Sequence, residues 1–144
     1  MGGIEVIEIG DEAARAPAFA IRRAVFCDEQ GVDAAEEFDG LDAASRLYLA
    51  RLEGAPVGTA RLRALDERTA KIERVAVLAP FRRRGIGAAL TRRAVDDALA
   101  AGAARIVIHA QKHAEGFYAG LGFATEGAGF MEAGIPHVRM TYAR

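Results

Sequence analysis

The sequence predicts an α/β fold in which helices lie on both faces of a mixed, mostly antiparallel sheet. Three short strand patterns in succession, over residues 46–78, indicate an antiparallel meander. A strand, helix and strand over residues 71–110 indicate one parallel strand pair. The chain has 144 residues, of which 51% are hydrophobic, and this supports one core rather than two. We therefore expect a single domain over residues 1–144.

The first third of the chain predicts a strand, a helix and an acidic loop. Residues 4–9 alternate apolar and acidic side chains, as a half-buried strand does. Asp11 can cap a helix that continues to about Gln30. Residues 31–44 are acidic and interrupted by glycines, which indicates a loop with a short helix.

The remaining two thirds predict a meander followed by a βα segment and a closing hairpin. Strands are expected at residues 46–52, 57–65 and 71–78, and Pro80 ends the third because proline cannot continue a central ladder. A helix over 85–101 has an apolar stripe and ends at Gly102. The later elements are a strand, a short helix and two strands, at residues 105–110, 112–120, 123–130 and 136–142.

Composition and charge exclude several classes of protein. The net charge of −1 argues against a general nucleic-acid binder. No apolar run approaches the ~20 residues that span a membrane. The one cysteine, Cys27, cannot form an internal disulfide, and no Cys/His spacing suits zinc, so we expect no metal. A cytoplasmic protein is the expectation, and a homodimer is possible.

The charges are unevenly placed. An acidic segment with seven carboxylates and no Lys or Arg lies between Ala24 and Ser45. Its members are Asp28, Glu29, Asp33, Glu36, Glu37, Asp39 and Asp42. A basic triplet follows much later, at 82–84. A solvated surface is the plain interpretation of either run.

A glycine-containing turn joins the strand at 71–78 to the following helix. At such a turn, unpaired backbone N–H groups and the helix dipole favour an anion, and Gly85 and Gly87 let it approach closely. The sequence around 82–87 matches neither a Walker A loop nor a dinucleotide fingerprint. It predicts a phosphate or pyrophosphate site, with an ordinary helix start as the alternative.

A second motif covers residues 114–123. Its aromatic residues can pack a short helix, with Gly122 at the helix end. Tyr118 can be a core residue, or its phenol can donate a proton.

Together the two motifs resemble the GCN5-related N-acetyltransferase (GNAT) superfamily. Arg82, Gly85 and Gly87 match the family's Arg/Gln-x-x-Gly-x-Gly/Ala loop. The second motif matches at Ala114, Phe117, Tyr118, Gly122 and Phe123. Residues 21–30 and 134–140 also resemble a little-characterised small bacterial GNAT subfamily. The resemblance implies a GNAT fold, in which the two central parallel strands splay apart.

The resemblance also implies direct transfer of an acetyl group from acetyl-CoA to an amine. The backbone of Val75 and Val77 would pair with pantetheine, and Gln111 stands where the family often has Asn. The pyrophosphate would lie on the loop at Arg82, Arg83, Arg84, Gly85, Gly87 and Ala88. Tyr118 would protonate the leaving thiolate.

The general base that deprotonates the amine is expected to be a carboxylate. Its candidates are Glu29, Glu37, Asp39 and Glu73. Simple alternation places Glu73 on the same strand face as Val75 and Val77. Glu29 ends the first helix, which borders the acceptor cleft in this fold. These two are the leading catalytic candidates.

The acceptor is expected to be a small cationic amine, drawn to the acidic segment. Glu29, Glu37, Asp39 and His137 are the candidate acceptor-binding residues, while His109 and His113 are expected to be structural. Three alternatives stay open. They are acetylation of a protein or peptide amine, a non-catalytic acyl-CoA-binding regulator, and a nucleic-acid module using the 82–84 arginines.

Overall fold

Seven strands form one mixed sheet in the computed structural model, which describes residues 3–142. The strands are β1 (Ile4–Glu8), β2 (Arg46–Leu52), β3 (Ala55–Ala64), β4 (Thr69–Val77), β5 (Arg105–Gln111), β6 (Phe123–Glu132) and β7 (Ile135–Tyr142). Their order across the sheet is β1-β2-β3-β4-β5-β7-β6. The β4–β5 pairing is parallel and the other five pairings are antiparallel, as the sequence predicts.

Four α-helices accompany the sheet: α1 (Ala16–Arg22), α2 (Ala34–Glu37), α3 (Ile86–Ala100) and α4 (Glu115–Ala119). The segment predicted to form one helix as far as Gln30 is helical over most of its length, but the type of helix changes along it. A 3-10 turn, Ala13–Arg15, precedes α1, and a π-helical stretch, Arg23–Glu29, follows it. At its end the N–H of Gln30 donates to the carbonyl of Val25, five residues back.

The helices cover both faces of the sheet, and each face has its own core. On one face α1 packs Ala18 and Ile21 against Leu49 and Ala76. On the other face α3 and α4 contribute to a larger cluster that includes Leu90. We call these the α1 face and the α3 face. Among residues 3–142, no helix combines the length and apolarity that crossing a membrane requires.

The parallel strands β4 and β5 separate part-way along their length. Their pairing begins at Thr69 with Arg105 and ends at Ile72 with Ile108. Both strands continue beyond this point, β4 to Val77 and β5 to Gln111, without pairing to each other. A V-shaped opening therefore lies in the middle of the sheet, which confirms the splayed pair that the family resemblance implies.

A bulge in β4 reverses the facing of its side chains. The register with β3 shifts between Thr59 and Arg61, and Arg74 has a positive φ of 58°. Ile72 belongs to the α3-face core, and Val75 packs against that same core.

Glu73 is consequently not on the face predicted for it. As the neighbour of Ile72 it lies on the α1 face, whereas Val75 and Val77 lie on the α3 face. The prediction that the three share a face is wrong, because the bulge adds one residue to the alternation.

Candidate active site

A cavity of about 790 Å³ occupies the opening between β4 and β5. Its lining comes from both faces of the sheet. Tyr118 and Gly87 border it from the side of α3 and α4, and Glu73 and His109 border it from the α1 face. The cavity therefore connects the two faces through the sheet.

The glycine turn at the start of α3 has the geometry of an anion site. Gly85 is the N-cap residue and has a φ of 82°, a left-handed conformation that glycine adopts without strain. The first intrahelical bond there runs from the N–H of Ala89 to the carbonyl of Gly85. The N–H groups of Ile86, Gly87 and Ala88 therefore have no partner within the helix and can bind an anion.

Gly87 also allows α4 to approach this loop. A Cβ atom at Gly87 would lie 3.3 Å from Phe117 Cζ and 3.8 Å from Val77 Cγ2. The absence of a side chain thus brings the aromatic helix, the loop and the end of β4 together around the cavity.

The three loop arginines have different environments. Arg82 makes a bidentate ion pair with Glu29 at 2.6 and 2.7 Å, and its Nε donates to the Val77 carbonyl at 2.9 Å. Within residues 3–142, neither Arg83 nor Arg84 forms a salt bridge, although Arg84 lies over the Phe81 ring at 5.8 Å. Arg82 therefore ties the loop to the π-helical stretch, and the other two remain available for phosphate.

The unpaired edge of β4 offers backbone groups to the cavity. The N–H of Leu78 donates to the Val57 carbonyl of β3. Because backbone groups alternate sides along a strand, those of Val75 and Val77 point away from β3 and into the opening. Arg82 covers the Val77 carbonyl, so of the two Val77 backbone groups only the N–H is left for a ligand.

Gln111 lies at the other arm of the opening. Its side chain exchanges hydrogen bonds with Gln30, at 2.8 and 3.3 Å, and its Oε1 lies 2.8 Å from His113 Nε2. The amide is thereby held across the mouth of the cavity, next to the end of the π-helical stretch.

Tyr118 is buried at the base of the cavity. It is 7% exposed and packs edge-on against Phe117 and Phe123, with ring centroids 4.9 and 6.0 Å away. Burial raises the pKa of its phenol, and no charge or hydrogen bond among the described residues contributes to that rise. The phenol is consequently protonated at neutral pH.

Three members of the acidic segment, Glu37, Asp39 and Asp42, are folded over buried arginines. Arg22, only 1% exposed, binds Glu37 at 2.8 Å and Asp42 at 2.6 Å. Arg74 binds Glu37 at 3.0 Å and Asp39 at 3.2 Å. Burial raises the pKa of Glu37, and the charges of Arg74 and Arg22 oppose that rise.

Arg61, on β3, completes this cluster. It is fully buried and binds Asp39 through two hydrogen bonds of 2.9 Å, which hold the pKa of Asp39 well below its usual range. It also contacts Asp42 and Glu73, each at 3.2 Å. The acidic segment is expected to attract a cationic amine, but these members are already paired, because α1, β3 and β4 supply arginines beneath them.

Glu73 is held by three cations. Burial opposes its ionisation, but a 2.7 Å hydrogen bond from Arg63 and the charges of Arg61 and Lys71 lower its pKa to about 2. A carboxylate with so low a pKa is a weak proton acceptor at neutral pH.

The hairpin of β6 and β7 brings further polar groups to the α1 face, which sequence reasoning largely missed. His137 lines the cavity as predicted, with its Nδ1 2.7 Å from the Ile135 carbonyl. Glu132 lines it too, and its Oε1 lies 3.0 Å from Nδ1 of His109. Glu132 lies in a stretch of β6 that contains no recognisable motif. Its place in the cavity follows only from the pairing of the strands, which the sequence does not give.

Comparisons with known proteins agree with this geometry. The sequence profile described as "Acetyltransferase (GNAT) domain" matches residues 7–144. YyaT of Bacillus subtilis is 38% identical over 141 residues, covering 96% of this chain and 95% of that one. The crystal structure of an N-acetyltransferase homologue from Lactobacillus plantarum has a TM-score of 0.88 at 30% identity, covering 96% and 97% of the two chains.

A GNAT family acetyltransferase from Elizabethkingia anophelis, solved with acetyl-CoA bound, has the same fold. Its TM-score is 0.74 at 19% identity, over 96% of this chain and 97% of that one. The fold, the loop at the start of α3, and the profile covering nearly the whole sequence all agree. The chain therefore belongs to the GNAT acetyltransferase family and is an acyltransferase.

Proposed function

We propose that the protein transfers the acetyl group of acetyl-CoA directly to a primary amine. The observation that carries this proposal is the opening between β4 and β5, which lies between an anion-binding loop and a buried tyrosine. The acetyl-CoA bound to the structurally similar Elizabethkingia protein supports the same cosubstrate.

The loop and the free edge of β4 fit the two parts of CoA. The diphosphate would bind the free amides at the start of α3, with Arg83 and Arg84 adding charge. Pantetheine would lie along the unpaired edge at Val75 and Val77, with Gln111 on the opposite arm. An N–H of that edge would polarise the thioester carbonyl.

Tyr118 would act as the general acid. When the C–S bond breaks, the leaving sulfur would take the phenol proton, so a naked thiolate never forms in the buried site. The unpartnered phenol and its position on the α3 face support this role.

The acceptor amine would enter from the α1 face. Of the acidic cavity-lining residues, Glu29, Glu37 and Asp39 are already bound to arginines, whereas Glu36 has no side-chain partner among the described residues. A small cationic amine remains our proposal for the acceptor, with Glu36 added to the expected contacts.

One assay tests the proposal. Acetyl-CoA is mixed with phenethylamine, spermidine or a peptide that carries an unmodified lysine, and release of the CoA thiol is followed. We expect turnover of at least one amine. Spermidine should be preferred, because its several positive charges suit the acidic residues that line the cavity. Preference for the peptide would favour the protein-amine alternative. Stabilisation by CoA without turnover of any amine would favour a regulator and contradict the proposal.

A further inference from the structure

The carboxylates expected to act as the general base are all engaged by cations. Glu29 is bound to Arg82, and the other three carboxylates, Glu37, Asp39 and Glu73, are bound within the arginine cluster on the α1 face. Each would have to accept a proton while in contact with one or more guanidinium groups. The base that receives the amine proton is therefore better sought elsewhere in the cavity.

His109 and Glu132 form a pair with the geometry of an oriented base. Glu132 Oε1 lies 3.0 Å from His109 Nδ1, and a carboxylate can only accept, so Nδ1 carries the hydrogen. In the neutral ring the lone pair is then on Nε2. Nε2 of His109 has no hydrogen-bond partner among residues 3–142, and the side chain lines the cavity.

His109 also lies on the appropriate face. Its neighbours in β5, Ile108 and Ala110, belong to the α3-face core, so alternation places His109 on the α1 face. Tyr118 belongs to the α3-face core. The two groups therefore border the opening from opposite sides, one toward the entering amine and the other toward the leaving sulfur.

We propose that His109 is the general base for the acceptor amine, held in its active tautomer by Glu132. This inference rests on the proposed function. The amine nitrogen would bond to the thioester carbonyl carbon, its proton would pass to His109 Nε2, and the C–S bond would break with the sulfur taking the Tyr118 proton. The imidazolium then returns its proton to the Tyr118 phenolate, so both groups are restored and the free amine and acetyl-CoA have become amide and CoA thiol. The one proton released per ammonium consumed is the proton that the ammonium loses to solvent before the attack.

The ring of His137 has a different environment from that of His109. Its Nδ1 lies 2.7 Å from the Ile135 carbonyl, and its Nε2 lies 3.8 Å from the second oxygen of Glu132. Both ring nitrogens are thus directed at acceptors, unlike those of His109. Phe130 lies between the two imidazoles, 5.0 Å from His109 and 5.9 Å from His137.

Several charged groups face the pair from the neighbouring strands. Glu132 comes from β6, where the hydrogen bond from His109 lowers the pKa of the carboxylate. Arg139 of β7 is the register partner of His109, and Lys71 of β4 acts on Glu132 electrostatically.

The test compares pH profiles of kcat/KM for an amine that the wild type acetylates. We expect His109→Gln to lower kcat/KM by about 100-fold and to remove the acid limb due to the imidazole, a loss within the usual range for a general base. Glu132→Gln is expected to cost about tenfold, because a neutral amide orients the imidazole less firmly than a carboxylate does. Acetyl-CoA affinity, measured by calorimetry, should change by less than about twofold.

Control variants distinguish His109 from the other candidate bases. Glu126→Gln, an exposed site on the same strand as Glu132, should leave the profile unchanged. Protonation of the amine itself contributes an acid limb near its own pKa of about 10 in every variant. A separate limb in the imidazole range that survives in His109→Gln, or one that disappears in Glu36→Gln, would overturn the assignment. A wild type inactive on every amine would overturn the proposed function and this base with it.

One further test uses only the wild-type protein, so its outcome does not depend on whether the variants fold. Nitrogen-15 NMR of the histidine rings should show His109 as the Nδ1–H tautomer when neutral. Observation of the Nε2–H tautomer would refute the proposal, because the lone pair would then face Glu132.

Discussion

Replacing Glu73 by Gln should make stability less dependent on pH. The wild-type carboxylate, 7% exposed, is bound by Arg61, Arg63 and Lys71, and its pKa falls from 4.5 to about 2. A depression of that size corresponds to roughly 3 kcal/mol of folding free energy. The contribution is present in full above the unfolded pKa and is lost as pH falls through the folded pKa.

The assay is urea denaturation of wild type and variant at several pH values. The free-energy difference between them should be largest at pH 7 and should shrink by roughly 3 kcal/mol by about pH 2, with about half of the change complete near pH 3. Glu126→Gln, which removes an exposed ion pair with Arg105, serves as the control and should show a far smaller pH dependence.

A difference between wild type and Glu73→Gln that stays constant from pH 7 to about pH 2 would refute this reasoning. It would mean that the carboxylate is not preferentially ionised in the folded state. The arginine cluster would then be held together by packing rather than by its charges.

Tyr118→Phe should lower kcat by about tenfold or more with little change in acetyl-CoA affinity, in thiol-release and calorimetric assays. Gly58→Ala should cost about 1–3 kcal/mol in urea denaturation, because its Cβ would lie 3.0 Å from both Ile86 Cγ2 and Leu90 Cδ1. Gly85→Ala should destabilise by about 1 kcal/mol, since φ is 82°, and should weaken acetyl-CoA binding several-fold in calorimetry. Unchanged turnover would contradict the expectation for Tyr118→Phe, and unchanged stability would contradict that for Gly58→Ala. Unchanged acetyl-CoA affinity would contradict the expectation for Gly85→Ala.

The loop geometry of the proposed cofactor site could be predicted from the sequence because its determinants are local. A strand, a glycine turn and a helix start lie within about twenty residues, so the free amides at Gly85–Ala88 follow from chain geometry alone. Tyr118 was identified through a motif of similar length. The helix and strand boundaries were predicted to within a few residues for the same reason.

The acceptor half could not be predicted, because its determinants are long-range. The bulge at Arg74 is a feature of the pairing between β3 and β4, and it moved Glu73 to the opposite face. The neutralisation of the acidic segment depends on Arg61 and Arg74, which are distant in sequence from Glu37.

The sequence by itself determined the fold class and the family, and it located the glycine turn at which we propose that the diphosphate of CoA binds. Those properties depend on periodicity and on short motifs, each of which is complete within one stretch of chain. Tertiary structure alone decided which carboxylates are neutralised and that His109 meets Glu132, since β5 and β6 are brought together across β7. The physical reason is that ion pairing and side-chain facing depend on register, and a single extra residue in a strand reverses them.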